Sequence, residues 1–219
     1  MELLLVSDVH GRVRNLEKLL KRGGWDAILI AGDVAPYGDP AAALKVLERA
    51  AKRFEGPIIV VPGNMDLLAS VMEARRLGNV YPLHGGAHRI GDVWVVGVGG
   101  SPPTPFGTVT ELSEEEIARL VESAFGEAWG GDAVLLSHSP PYGTKLDVVA
   151  GGGHAGSRAI RSAIERFSPR LCVCGHIHEA RGVDRLGTTM LVNPGPLMLG
   201  FYAVAHLARG SIEVEFRSL

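Results

Sequence analysis

Residues 2–10 read Glu2-Leu3-Leu4-Leu5-Val6-Ser7-Asp8-Val9-His10. An apolar run with no polar alternation predicts a strand buried on both faces, from Glu2 to Ser7. The run ends on a carboxylate and an imidazole two residues apart, and alternate side chains of an extended segment share a face. Asp8 and His10 can therefore converge on one point. The pattern recurs along the chain. Apolar residues 27–31 precede Gly32-Asp33, and 58–61 precede Pro62-Gly63-Asn64. Residues 133–136 precede Ser137-His138, and 171–174 precede Gly175-His176-Ile177-His178. Glycine beside Asp33, Asn64 and His176 lets the backbone turn sharply where a strand stops.

The segments between these motifs carry helical spacing. Val13, Leu16, Leu19 and Leu20 predict a helix over residues 13–21. A second is predicted over 40–54, with Asp39 as its N-cap and Pro40 at the first helical position. A third runs from about Leu67 to Arg75, with Asp66 as its N-cap. This alternation argues for a parallel sheet in the first third of the chain. Further on, Gly91-Asp92 is a two-residue hairpin signal between strands 87–90 and 93–98. Ser113 and Glu116 form a capping box opening a helix to Phe125. Residues 139–156 form a long loop rich in Gly and Pro, a kind that is often functional. Ser157 opens a helix ending near Phe167. Short strands follow at 180–184, 189–192, 201–207 and 211–216, and Asn193-Pro194-Gly195-Pro196 marks a tight turn. They are expected to form a second, largely antiparallel sheet packed on the first.

The motifs span residues 8 to 178 and must converge, so one domain over 1–219 is expected. A hydrophobic content of 46% with 21% charged residues is ordinary for a globular chain able to bury a sizeable core. The net charge of −2 offers no footprint for bulk nucleic acid. No apolar run approaches a membrane span, and Leu3-Leu4-Leu5-Val6 is too short for a secretory signal, so a cytoplasmic protein is expected. Cys172 and Cys174 point the same way on one strand and are expected as buried free thiols. The lack of Gln and the excess of Arg over Lys fit a thermophilic origin, as GC-rich coding would too.

Together the motifs offer Asp8, Asp33, Asn64, His10, His138, His176 and His178. These oxygen and imidazole ligands suffice for two divalent ions side by side, a pair suited to attack phosphate esters. Such ligands accept Mn, Fe, Zn, Ni or Co, and manganese is the expectation. His84, His88 and His206 stand outside any motif and read as ordinary histidines.

Five such motifs in this order resemble the calcineurin-like metallophosphoesterase superfamily, over nearly the whole chain. The resemblance implies an α/β (α+β) fold, a four-layer αββα sandwich of two mixed sheets flanked by helices, with a dinuclear site at the sheet edges. It further implies that Asp8, His10, Asp33 and His178 hold one metal, and Asp33, Asn64, His138 and His176 the other. A hydroxide bridging the ions would attack phosphorus in line, with Asn64 and His138 helping to neutralise the phosphoryl oxygens. The third motif departs from the family. It reads Gly63-Asn64-Met65-Asp66, where Gly-Asn-His-Asp or Gly-Asn-His-Glu is usual, so the histidine thought to protonate the leaving oxygen is missing. The same replacement occurs in small prokaryotic phosphodiesterases, which the chain looks like, and in a eukaryotic trafficking scaffold of this fold.

The expected function is therefore metal-dependent hydrolysis of a small phosphate ester, with a diester as the expected substrate. Rival readings are a nucleotide or cyclic-nucleotide phosphodiesterase and a weakly catalytic scaffold that keeps its metal pocket. His154, in Gly151-Gly152-Gly153-His154, is a candidate source of the missing proton. Arg12 and Arg158 are candidates for contacting substrate, and the helix start at Ser157 could receive a phosphate. The sequence leaves a homo-oligomer open.

Overall fold

The computed structural model of the chain describes residues 1–128 and 132–219. Its twelve strands form two six-stranded mixed sheets. The first sheet is built on β1 (Glu2–Val6), β2 (Ala27–Ala31), β3 (Ile58–Val61) and β4 (Val80–Pro82), all parallel. The second begins with the hairpin β5 (Gly86–Ile90) and β6 (Val93–Val98), whose register closes on Ile90 opposite Val93. It continues in parallel through β7 (Asp132–Ser137) and β8 (Leu171–Val173).

The late strands do not make a sheet of their own. β9 (Gly182–Leu186) and β10 (Thr189–Asn193) join the second sheet, with β10 parallel to β8. β11 (Phe201–Ala208) and β12 (Ser211–Ser218) join the first, with β11 antiparallel to β1. Burial explains the split. Leu191 and Val192 of β10, and Tyr202 to Ala205 of β11, are buried on both faces. Strands like these need a neighbour on each side and an apolar layer above and below. β4 escapes sequence pattern because three residues ending in proline show no periodicity, and its edge position tolerates Pro82.

Period-two alternation sorts side chains into layers. Leu4, Val6, Ile28, Ile30, Ile58 and Val60 face α1 (Val13–Arg22), α2 (Ala43–Ala51) and α3 (Leu68–Met72). Leu3, Leu5, Leu29 and Ile59 point the other way, onto Val95, Val134, Leu136, Leu171 and Val173 of the opposite sheet. Val96, Leu135, Cys172 and Leu191 meet α4 (Glu114–Glu127) and α5 (Arg158–Phe167). Three apolar layers between four structural ones give the αββα sandwich. Each fully buried Leu or Ile contributes about 1.5–3 kcal/mol, so the middle layer alone fixes the two sheets face to face.

Cys172 and Cys174 are buried free thiols in the third layer. Burial pushes the Cys172 thiol up to about 12 and Cys174 well above its ordinary value, so neither offers a thiolate. The α4 capping box forms as the sequence predicts. The helix expected over 40–54 is shorter. Residues Pro40–Ala42 form a 3-10 turn before α2, and Asp39 makes no side-chain cap. No helix of the described residues is long and apolar enough to cross a membrane.

Candidate metal centre

Parallel strands deliver their C-terminal ends to one edge, and that edge is where all five motifs sit. Asp8 and His10 follow β1, Asp33 follows β2, Asn64 follows β3, His138 follows β7, and His176 and His178 follow β8. Backbone bonds lock the loops together. Asp8 donates to the carbonyl of Gly32, His10 to that of Asp33, and Gly175 to that of His138. Two glycines permit this closeness. A Cβ at Gly63 would lie 1.9 Å from Asp33 Oδ1, and one at Gly175 would lie 1.6 Å from Ser7 Oγ. Asp8, His10, Asp33 and His176 all hold positive φ, between 42° and 68°. Such conformations cost of order 1–3 kcal/mol each and gather at functional sites.

The seven side chains converge. His10 Nε2 lies 3.4 Å from His178 Nε2 and 3.7 Å from Asp33 Oδ2, and His178 Nε2 lies 3.3 Å from Asp8 Oδ1. On the other side, Asn64 Oδ1 stands 2.8 Å from His138 Nε2 and 3.0 Å from His176 Nδ1, with Asp33 Oδ1 3.6 Å from His138 Nε2. Asp33 thus turns one oxygen toward each group. Asp8, His10 and His178 offer atoms close enough to share one ion, and so do Asp8, Asp33 and His138.

The donor set shows what these groups want. His138 Nδ1 donates to the carbonyl of Ala31 at 2.8 Å, so Nε2 is the ring nitrogen left to face the site. The atom facing it is an amide oxygen. That assignment is pinned from outside, because Thr108 Oγ1 donates to Glu111 at 2.6 Å and so accepts from Asn64 Nδ2 at 2.9 Å. Glu111 also accepts from the Thr108 amide and the Thr104 hydroxyl, and the Thr104 and Thr108 hydrogen bonds hold its carboxyl down at about 2. An amide oxygen and a ring nitrogen, both able to ligate a metal, therefore face one another across 2.8 Å, an arrangement that suits a shared cation.

Charge points the same way. Burial pulls His10 down to about 4 and His176 to about 3, so both rings are neutral near pH 7, the form that binds metals. Burial lifts Asp33 to about 7, with the negative charges of Asp8 and Asp66 adding to the rise. Burial also works to raise Asp8, but the hydrogen bond from His178 and the nearby imidazole charges hold it at about 2. Its partner His178 is raised in turn. Two buried carboxylates this close resist ionising together, and a bound cation reverses that resistance. The residues fit a metal.

Asp66 has a different role from the helix cap expected of it. It is fully buried and accepts from the amides of Val34, Ala35 and Gly63, at 3.1, 2.7 and 2.8 Å. It therefore ties the Asp33 loop to the Asn64 loop. Leu67, with no side-chain cap, precedes α3 instead.

The remaining candidates sit apart from the seven. His154 is bonded through Nδ1 to buried Asp147 at 2.7 Å and lies beside Tyr142. Arg158 places its guanidinium 3.9 Å over the Tyr142 ring. Arg12 is exposed at the start of α1, two residues past His10. The helix start at Ser157 already holds an anion. Glu114 accepts from the Ser157 hydroxyl and from the amides of Arg158 and Ala159, so no phosphate is needed there. His84 accepts from the Gly99 amide, His88 stacks on Tyr81, and His206 pairs with Glu2 and Glu215.

Sequence reasoning missed Tyr37. Its ring stacks on His10 with centroids 4.1 Å apart and planes 11° apart, and its hydroxyl lies 3.2 Å from His10 Nε2. The one signal available was its place four residues after Asp33, in a Pro-Tyr-Gly turn.

A family model described as the calcineurin-like phosphoesterase superfamily domain matches residues 1–212. An uncharacterized protein of Methanocaldococcus jannaschii is 33% identical over 202 residues, covering 90% of this chain and 88% of that one. Among solved structures, a Thermus thermophilus protein superposes with a TM-score of 0.76 at 20% identity, covering 98% of this chain and 97% of the other. A predicted phosphoesterase from Streptococcus pneumoniae gives 0.51 at 17%, covering 99% and 88%. At these identities the two structures speak for the fold alone.

Proposed function

The chain belongs to the calcineurin-like phosphoesterase superfamily, and on that premise we propose that it is a phosphodiesterase working through a dinuclear metal centre. The observation that carries this reading is the doubled set of acceptors around Asp33. Asp8, His10 and His178 gather on one side, and Asn64, His138 and His176 on the other. In this reading Asp8, His10, Asp33 and His178 hold one ion, and Asp33, Asn64, His138 and His176 the second. Because ligands come from both sheets, residues 1–219 are read as one domain.

Bound there, two divalent ions, with manganese the first choice, would supply a hydroxide near neutral pH and neutralise charge on the phosphoryl group. The chain's own part is to hold geometry. Ser7, buried, bonds Asp8. Ala31 fixes the tautomer of His138, and Glu111 with Thr108 aims the Asn64 oxygen inward. Such supports are commonly worth 10–100-fold in metal affinity or activity. Arg12, exposed and two residues past His10 in the chain, is proposed to meet a substrate oxygen. His154 is proposed as a proton source, with Asp147 holding Nδ1 and leaving Nε2 for another partner. Arg158, stacked over Tyr142, is proposed as a second substrate contact.

Charge favours a diester. Two dications against the Asp8 and Asp33 carboxylates and one hydroxide leave roughly one net positive charge, matching a substrate with one negative charge. Met65 in the third motif removes an imidazole acid, so esters with good leaving groups are the expected substrates. The buried thiols suit a reducing compartment, and a cytoplasmic location is proposed with them. The test is turnover of an activated aryl diester and the matching monoester by manganese-loaded protein. Faster hydrolysis of the diester, lost in Asp33→Asn, supports the reading. Faster hydrolysis of the monoester rejects the diester preference.

A further inference from the structure

The seven converging side chains are carboxylates, imidazoles and an amide oxygen, all of them groups that ligate ions. A phosphate ester bound among ions also needs hydrogen-bond donors for the oxygens that the ions leave uncovered. Among the described residues, three hydroxyls touch the seven, and two are committed elsewhere. Ser7 is buried against Asp8 and the Ala31 carbonyl. Thr108 donates to Glu111.

The third hydroxyl belongs to Tyr37, and its situation differs. The residue is 56% exposed, yet its ring is held parallel on His10. Its hydroxyl stands 3.2 Å from His10 Nε2 across the stack, over the ring face and out of line with the in-plane lone pair, and otherwise reaches only the weak acceptor Met198 Sδ at 3.9 Å. A metal ion on that in-plane lone pair leaves the stack in place, so the hydroxyl stays at the edge of the centre with no strong acceptor of its own. A donor is thus available where an ester oxygen arrives. Met65, the neighbour of Asn64, offers none.

We infer that Tyr37 is a substrate-binding residue whose hydroxyl donates a hydrogen bond to a non-bridging phosphoryl oxygen of the bound ester. The inference rests on the phosphoesterase reading of the site and adds a residue to it. Tyr37→Phe removes only the hydroxyl and preserves the ring on His10, so folding and the position of His10 are retained.

The test compares wild type and Tyr37→Phe in two calorimetric titrations, manganese alone and then inorganic phosphate into manganese-loaded protein, beside turnover of an activated aryl diester. A hydrogen bond to a charged group is worth about 1.5–3 kcal/mol, roughly 10–100-fold. Phosphate affinity and kcat/KM are expected to fall by at least about 10-fold on that scale, with manganese affinity kept within about 2-fold. Unchanged phosphate affinity overturns the inference, as does a loss that follows manganese affinity, which would mean that Tyr37 acts only through His10. Wild type that turns over no ester rejects the phosphodiesterase reading, while the phosphate titration still decides Tyr37. Wild type that binds no phosphate overturns both.

Discussion

Nε2 of His138 lies 2.8 Å from Oδ1 of Asn64, and both atoms can serve as metal ligands. The Nδ1–H of His138 goes to Ala31, and one amide hydrogen of Asn64 goes to Thr108, which holds the pair in this arrangement. A cation held by both atoms binds the folded chain and not the unfolded one. Manganese should therefore stabilise the fold. At a free concentration 100 times Kd the gain is about 2.7 kcal/mol, and for a chain of this size that is a rise in Tm of about 5–10 °C. Thermal melts with manganese and with excess chelator check this, and coincident melts contradict it.

Ion binding should depend on pH with a definite sign. Asp33, lifted by burial to about 7, and His178, raised by Asp8, must both lose protons to become ligands. His10 and His176, pulled down to about 4 and 3 by burial, are already neutral and release nothing. Manganese affinity should rise with pH from about 6 and flatten above about 8, gaining up to about tenfold per pH unit for each proton released. Calorimetry in buffers of different ionisation enthalpy counts those protons. A pH-independent affinity, or one that falls as pH rises, contradicts the account.

The Glu111–Thr108–Asn64 chain should matter although Glu111 stands outside the site. Thr108→Val deletes the acceptor that orients Asn64, and Glu111→Gln removes the charge that orients Thr108. Each is expected to lower manganese affinity or kcat by about 10–100-fold, with little change in the Tm of ion-free protein. The two losses should not add, since both act through one amide. Independent, additive losses would break the proposed chain.

Met65→His tests the departure in the third motif. General acid catalysis is typically worth about 10²–10⁴-fold. Across aryl diesters of graded leaving-group pKa, the variant should gain rate on the poorest leaving groups and leave the best unchanged, flattening the dependence. A uniform change across the series would show that the histidine alters ion binding and not protonation.

Much of this was legible in the sequence because it is local. Strands β1, β2 and β3 are continuous apolar runs stopped by serine, glycine or proline, and each ends at a motif, so the candidate ligands could be read from strand ends. The hairpin at Gly91-Asp92 and the capping box at Ser113 are likewise set within a few residues. What could not be read depends on distant partners. The choice of sheet for β11 is made by β1, some two hundred residues away. Asp66 looked like a helix cap because its N–H partners at Val34 and Ala35 lie more than thirty residues upstream. Ser157 looked like an open anion site because Glu114, which fills it, belongs to another helix. Tyr37 carries no motif and gains meaning only from the ring it covers.

The central claim is that Asp33 joins two ion sites, and the metal-to-protein ratio tests it most directly. Elemental analysis of protein equilibrated with manganese and freed of excess should give about two ions per chain for wild type. For Asp33→Asn, folded by circular dichroism, it should give far less, with turnover lost in step. Wild type that retains no metal, or Asp33→Asn that retains as much as wild type, would contradict it.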